Sequence, residues 1–401
     1  MGEREYATVL FLLFCLSLTG LSDEKDEGIR PPVWLHSPET VRVQQVSPQD
    51  YPYLAQWVDG HAKPAQDYMV RLFDKYQVVI LAEEHNVKEH KTFVMDLLPR
   101  LYHEAGVRCL GWEFSPYALN ARLAELIDAP RYDEKAVLQF ARDCSPDWNS
   151  QEHWDLIKAV WALNASLPSG AEKMRLFGLR HEYDFVKAAV TLRTKPLNSP
   201  ESRASPEFQE LVADAVKYDV SMAQQVQEQI LEKGRKGLVF VGLGHDWTQY
   251  QYPAEVNFGI TLKTMGVLLA QRHPDRVFQV RLLCSSDPLL MDVVMKRRNH
   301  AWVGFDMPGS PFANLLVPAG RGAPDVPWHM KSIRDAASTT PKKWMSTCRS
   351  PGGLCLIEWR TATWGPAPPV RTARGLLSEC APRWDCRGSI CPGCPSGRYT
   401  C

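Results

Sequence analysis

Four histidines of this sequence stand in one kind of place, at or just beyond the end of a short, unbroken apolar run. In "VVILAEEHN" the run 78–82 gives way to Glu83, Glu84 and His85, with His90 a turn further on. "GWEFSP" carries Glu113. "GLRHEYD" carries Arg180, His181, Glu182 and Asp184, and "VGLGHDW" carries His245 and Asp246. A later stretch, "GFDMPGSP", adds Asp306. The other histidines fall elsewhere; among them His153, at the head of "HWDLIKAVW", could face the same place.

Carboxylates and imidazoles together serve two kinds of chemistry. They bind divalent metals through oxygen and nitrogen. They also move protons without a metal, because imidazole titrates near neutrality and burial tunes a glutamate upward. His85 and His90 are five apart, which is not the i, i+4 spacing of a helical zinc motif. There is no GxSxG elbow and no phosphate loop, and "GLGHD" lacks the third glycine of a dinucleotide fingerprint. Nucleotide binding is therefore excluded as a reading.

The elements that must position these groups alternate. Strands are predicted at 77–82, 107–114, 174–179, 237–242 and 277–283, with a sixth at 302–307. Helices are predicted at 88–104, 118–127, 134–142, 152–163, 183–192 and 261–271, and Pro99 should kink or split the first of them. Residues 196–206 read as a loop. Residues 207–233 read as one long, polar and exposed helix. The alternation predicts an α/β fold, a mainly parallel sheet with helices on both faces. Ligands of such sheets sit at the carboxyl ends of the strands. The first four strands would release their ionisable groups into one crevice.

Charge and composition narrow the partners. Lys plus Arg and Asp plus Glu are 46 each, so nothing points to nucleic acid. Residues 1–22 read as a signal peptide, with an apolar core and small residues before Asp23. The expected location is secreted or periplasmic, with a membrane role only if that segment stays uncleaved. Residues 23–50 read as a linker, 51–320 as the α/β domain and 321–401 as a Cys- and Pro-rich tail. Seven of the 11 cysteines lie in that tail, beyond residue 347. Three origins for it stay open: a small disulfide or metal knot, a disordered extension, or a frameshift artefact.

On Ala82-Glu83-Glu84-His85, the lone Glu113, Gly242-Leu243-Gly244-His245 and "GFDMPGSPFANL", the chain resembles the erythromycin-esterase-like and ChaN-like haem-uptake proteins of the Tiki/TraB superfamily. The resemblance covers about residues 70–316, with Ala82 where relatives carry glycine. It implies a site centred on Glu83, His85, Glu113 and His245. The esterase-like branch implies a histidine that activates water. The Tiki branch implies a divalent metal (Mn, Co or Zn) held by such residues, here His85, Glu113 and His245. The ChaN branch implies haem on a Tyr ligand. The expected function is an exported hydrolase of ester or peptide bonds, metal-assisted or not, acting on a small-molecule or peptide substrate. His85 is the base, Glu83 and Glu113 orient water or bind metal, and His245 with Arg180 or His181 stabilises the oxyanion. The alternative is a non-catalytic haem or iron-chelate binder using Tyr117, Tyr183 or Tyr250.

Overall fold

The structure is a computed structural model that describes residues 46–85, 87–144, 150–194, 199–248, 263–283 and 302–313, with shorter pieces at 31–32, 35, 41–42, 289, 292–293, 315–317, 326–327 and 355–359. All of these fall within one compact unit, Met1–Thr361. The leader, most of the lead-in and most of the tail lie outside the described residues, as do Tyr250 and Cys284.

Strands β1 (Val78–Glu83), β2 (Val107–Pro116), β3 (Arg175–Arg180), β4 (Lys236–Gly242) and β5 (Val277–Leu283) lie parallel in the order β5-β1-β4-β2-β3. The predicted α/β sheet is thus present. Its central strands are apolar on both faces because both faces are covered. In β1, Val79 and Leu81 pack on one side with Phe93 and Leu97, while Val78 and Ile80 pack on the other with Met222 and Val226.

The first face is covered by α3 (Lys88–His103), α4 (Asn120–Asp128), α5 (Glu134–Cys144) and α6 (Gln151–Ser166). α3 follows α1 (Tyr51–His61) and α2 (Ala65–Leu72) in the chain. Pro99 lies inside α3, which continues to His103. Leu97, Leu98 and Leu101 are buried on either side of the proline, and this packing carries the helix through the lost hydrogen bond.

The stretch predicted as a loop after α7 (Phe185–Thr194) contains a short helix, α8 (Pro200–Ala204). Ser199 caps it by accepting from Ser202 N, and Pro200 enters at the first turn. The long helix expected to be exposed is α9 (Pro206–Val226), followed by a π-helical turn at Gln227–Leu231. It is not a solvated element. Tyr218, Met222, Ala223, Val226 and Ile230 are buried against the second face together with α10 (Met265–Arg272). No helix among the described residues is long and apolar enough to cross a membrane.

The sixth strand is present as β6 (Val303–Asp306), but it is separated from β5 by β7 (Cys355–Trp359), which lies in the stretch read as a Cys- and Pro-rich tail. β7 runs antiparallel to β5 and parallel to β6. β6 therefore runs against the five core strands. Asp306 accordingly leaves the sheet in the opposite direction from Glu83, and it accepts a hydrogen bond from Tyr68 Oη at 2.8 Å.

Candidate active site

Glu83 is the last residue of β1 and fully buried. A carboxylate there needs donors on both oxygens. Oε1 accepts from His85 Nδ1 at 2.7 Å, and Oε2 accepts from Lys91 Nζ on α3. Burial would raise the Glu83 carboxyl, but His153, His85 and Lys91 outweigh it and hold the group well below the usual carboxylate range. Because Glu83 is ionised and only accepts, Nδ1 of His85 is the donor, which leaves Nε2 as the ring atom able to accept a proton.

The next strand over completes the arrangement. Glu83 pairs with Gly242 across the β1–β4 ladder. The His85 ring lies against that glycine: a β-carbon at residue 242 would stand 2.7 Å from His85 Nε2 and 3.3 Å from Glu113 Oε2. No larger residue fits there while the ring keeps this pose. Glu113 Oε2 accepts from Gly242 N at 2.6 Å, and Oε1 accepts from Tyr218 Oη at 3.2 Å. The β2–β3 register shifts between Trp112 and Pro116, an irregularity that brackets Glu113. Such irregularities re-aim side chains at strand ends.

His245 follows β4 after a turn in which Gly244 has φ 112°, a conformation that favours glycine. Its Nδ1 lies 3.0 Å from Asp219 Oδ1, and its Nε2 lies 3.4 Å from Glu113 Oε1. Asp219 Oδ1 also accepts from Met265 N at 2.6 Å, at the head of α10. Burial opposes a charged ring at His245, yet Asp219 and Glu113 overcome it and push the group up to about 10. His245 is thus an imidazolium at neutral pH. Burial raises Glu113 and the neighbouring positive charges lower it, with a net shift downward. Tyr218, whose ring stacks on His245 at 5.3 Å, is raised well above its ordinary value by burial and by Glu113.

The structure thus brings Glu83, His85, Glu113 and His245 to one sheet edge. Arg180 and His181 sit beside them in other roles. Arg180 is buried, with Nη2 donating to Cys144 O at 2.7 Å and Nη1 to His181 O at 3.2 Å. His181 Nε2 is paired with Asp214 at 3.2 Å, and its ring meets the edge of Tyr218. His90 is buried and structural: its Nδ1 accepts from Glu84 N at 2.9 Å, and burial pushes it down to about 3.

Three residues of the site were not among the expected ones. Tyr218 and Asp219 come from α9, and Lys91 comes from α3. His153, noted as able to face the site, does so: Nε2 lies 3.9 Å from Glu83 Oε1 and Nδ1 lies 2.6 Å from Ser150 Oγ. Among the described residues the group with metal-ligating separations is Glu83, His85 and His153, whose ligand atoms lie within 4.8 Å of one another. Of the trio expected from the sequence, His85 belongs to this group, whereas Glu113 and His245 pair with each other. By distance the group is compatible with a cation, but Lys91 already places a charge on Glu83.

No family model matches the sequence, and no curated protein matches it. Solved structures to which this chain is similar include a Bacillus cereus protein at 13% identity and TM-score 0.47, covering 77% of this chain and 97% of that one. ChaN of Campylobacter jejuni, solved with cofacial haem, is 14% identical at TM-score 0.35, covering 57% and 92%. An erythromycin esterase mutant, EreC in its open conformation, is 13% identical at TM-score 0.34, covering 63% and 81%. Both kinds of protein that the motifs resemble are thus among the structural neighbours, at similarities too low to choose between esterase and haem binder.

Proposed function

We propose that the protein is a hydrolase of ester or peptide bonds in which His85 activates water. The observation that supports this best is the Glu83–His85 pair. An ionised, buried carboxylate accepts from Nδ1 at 2.7 Å and sets Nε2 as the base. Nε2 takes a proton from water as the oxygen attacks the substrate carbonyl carbon. Glu83 stabilises the imidazolium that forms, and His85 returns the proton to the leaving oxygen or nitrogen as its bond to carbon breaks. The His245 imidazolium, held between Asp219 and Glu113, supplies positive charge for the developing oxyanion. Export through residues 1–22 accompanies this reading and rests on the sequence.

The test is a panel of activated esters and short peptides. Wild type should hydrolyse at least one class, and His85→Ala should lose about 10²–10⁴-fold in kcat, the usual contribution of a general base. A wild type inert on the whole panel, or a His85→Ala variant as active as wild type, would sink the reading. One observation favours haem binding instead: Tyr117, just beyond β2, is 41% exposed and could offer its phenol oxygen. A haem titration with no Soret change, or one unaffected by Tyr117→Phe, removes that reading.

A further inference from the structure

We propose that Lys91 is the built-in cation of the site, a positioning residue whose ammonium gathers Glu83 and the loop carrying His85 and so occupies the place of a metal. Its Nζ lies against Glu83 Oε2 and donates to three main-chain carbonyls of the following loop: His85 O at 2.7 Å, Glu84 O at 3.0 Å and Val87 O at 3.3 Å. All four partners are acceptors. Burial lowers the Lys91 amine from its ordinary value and Glu83 opposes that shift; a neutral amine would present a lone pair to one of the four acceptors, so the geometry of the cage favours the ammonium form.

Lys91 is also 1% exposed, which is rare for lysine and requires pairing. The loop it binds leads from β1 into α3. Three carbonyls turned toward one point fix the main chain of the very residue whose imidazole meets Glu83. One amine thereby aims both members of the Glu83–His85 pair.

The same geometry bears on metals. Glu83, His85 and His153 have the donor types of a divalent site, yet Glu83 Oε1 is engaged by His85 and Oε2 by Lys91. A dication at this point would face a fixed ammonium across the one carboxylate, in a buried place where like charges repel strongly. Removing the amine while keeping the apolar stem leaves a buried anion, two imidazoles and several carbonyls with no positive partner. That is a cation site.

This inference deepens the hydrolase reading, but its test does not depend on activity. Full-length protein is titrated with Co²⁺, following the visible d–d bands and the thermal midpoint. Wild type should show no stoichiometric bands and no shift. Lys91→Met should take up one Co²⁺, with bands and a rise in midpoint, and Lys91→Met/His153→Ala should lose that uptake. Lys91→Arg, which keeps the charge, should behave as wild type. Stoichiometric Co²⁺ binding by wild type that is lost in His153→Ala would overturn the proposal, as would a folded Lys91→Met that takes up none. If Lys91→Met cannot be purified folded, it is refolded with and without Co²⁺. Recovery with Co²⁺ supports the proposal, and recovery in neither overturns it. An inert panel in the hydrolysis assay alongside these cobalt results would remove the enzyme reading and leave Lys91 in its role.

Discussion

The proton on His85 Nδ1 is placed by a neighbour two residues earlier in the chain, and the space for the ring is made by a glycine on another strand. Gly242→Ala tests that space. His85 is about one-fifth exposed, so its ring can swing outward rather than crush the core. The expected outcome is a large fall in kcat with a small change in thermal midpoint; a variant of full activity would show that the pose of His85 over residue 242 is not the working one. At this scale the sequence was partly legible. Glu83, His85, Glu113 and His245 each end an apolar run, and that pattern needs no three-dimensional information. Lys91 was not legible, because a lysine in "KEHKTF" reads as a solvated helix residue. The one signal was its spacing: Lys91 shares a stripe with Val94 and Leu98, which face the core.

Among elements, α9 contributes most beyond expectation. It read as polar because glutamine, glutamate and lysine crowd its surface. Yet Tyr218, Met222 and Val226 recur at helical spacing, and adjacent Tyr218 and Asp219 reach Glu113 and His245. Charged helix residues are so often solvated that only the packing of α9 on the sheet reveals them. The loop bearing His245 is held from behind by another buried pair. Asp246 accepts from Arg281 Nη2 at 2.7 Å, Gln279 Nε2 at 2.6 Å and Gly244 N at 3.1 Å. Arg281→Met leaves this carboxylate short of its cation and should cost about 3–5 kcal/mol, read as a lower urea midpoint. Arg281→Met/Asp246→Asn, lacking both charges, should recover part of that loss. Equal stability of Arg281→Met and wild type would remove the pair from any role in the loop.

For the whole molecule, a buried histidine, His90, and a partly exposed one, His245, shape the dependence of stability on pH from opposite sides. The folded protein refuses a proton at His90 down to about 3, whereas the unfolded chain binds it near 6.5. Stability from this group therefore falls as pH drops through that window. The folded protein keeps a proton on His245 up to about 10, whereas the unfolded chain releases it near 6.5. That contribution is full below 6.5 and is lost as pH rises toward 10. Urea midpoints should peak near neutrality. His245→Gln should flatten the alkaline limb and also shorten the acid limb, because Glu113 then loses the charge that does most to lower it, while His90 and Glu83 still act there. An alkaline limb unchanged in that variant would show that His245 is not charged in the folded state. The parallel core was legible from alternating patterns; the reversed edge was not, because β7 pairs residues 355–359 into the sheet from a stretch read as a Cys- and Pro-rich tail.

The strand order has a further consequence for biosynthesis. β4 lies between β1 and β2, although it is made well over a hundred residues after them. A ribosome that has released β1, β2 and β3 has made a sheet with its middle missing and two inner edges bare. Such edges recruit other chains. Nascent chains arrested before residue 236 should therefore cling to chaperones or clump, and those extended past residue 359, where β7 has covered the outer edge of β5, should not. Ribosome-bound chains of graded length, assayed for protease resistance, would show whether compactness appears abruptly when the central strand arrives.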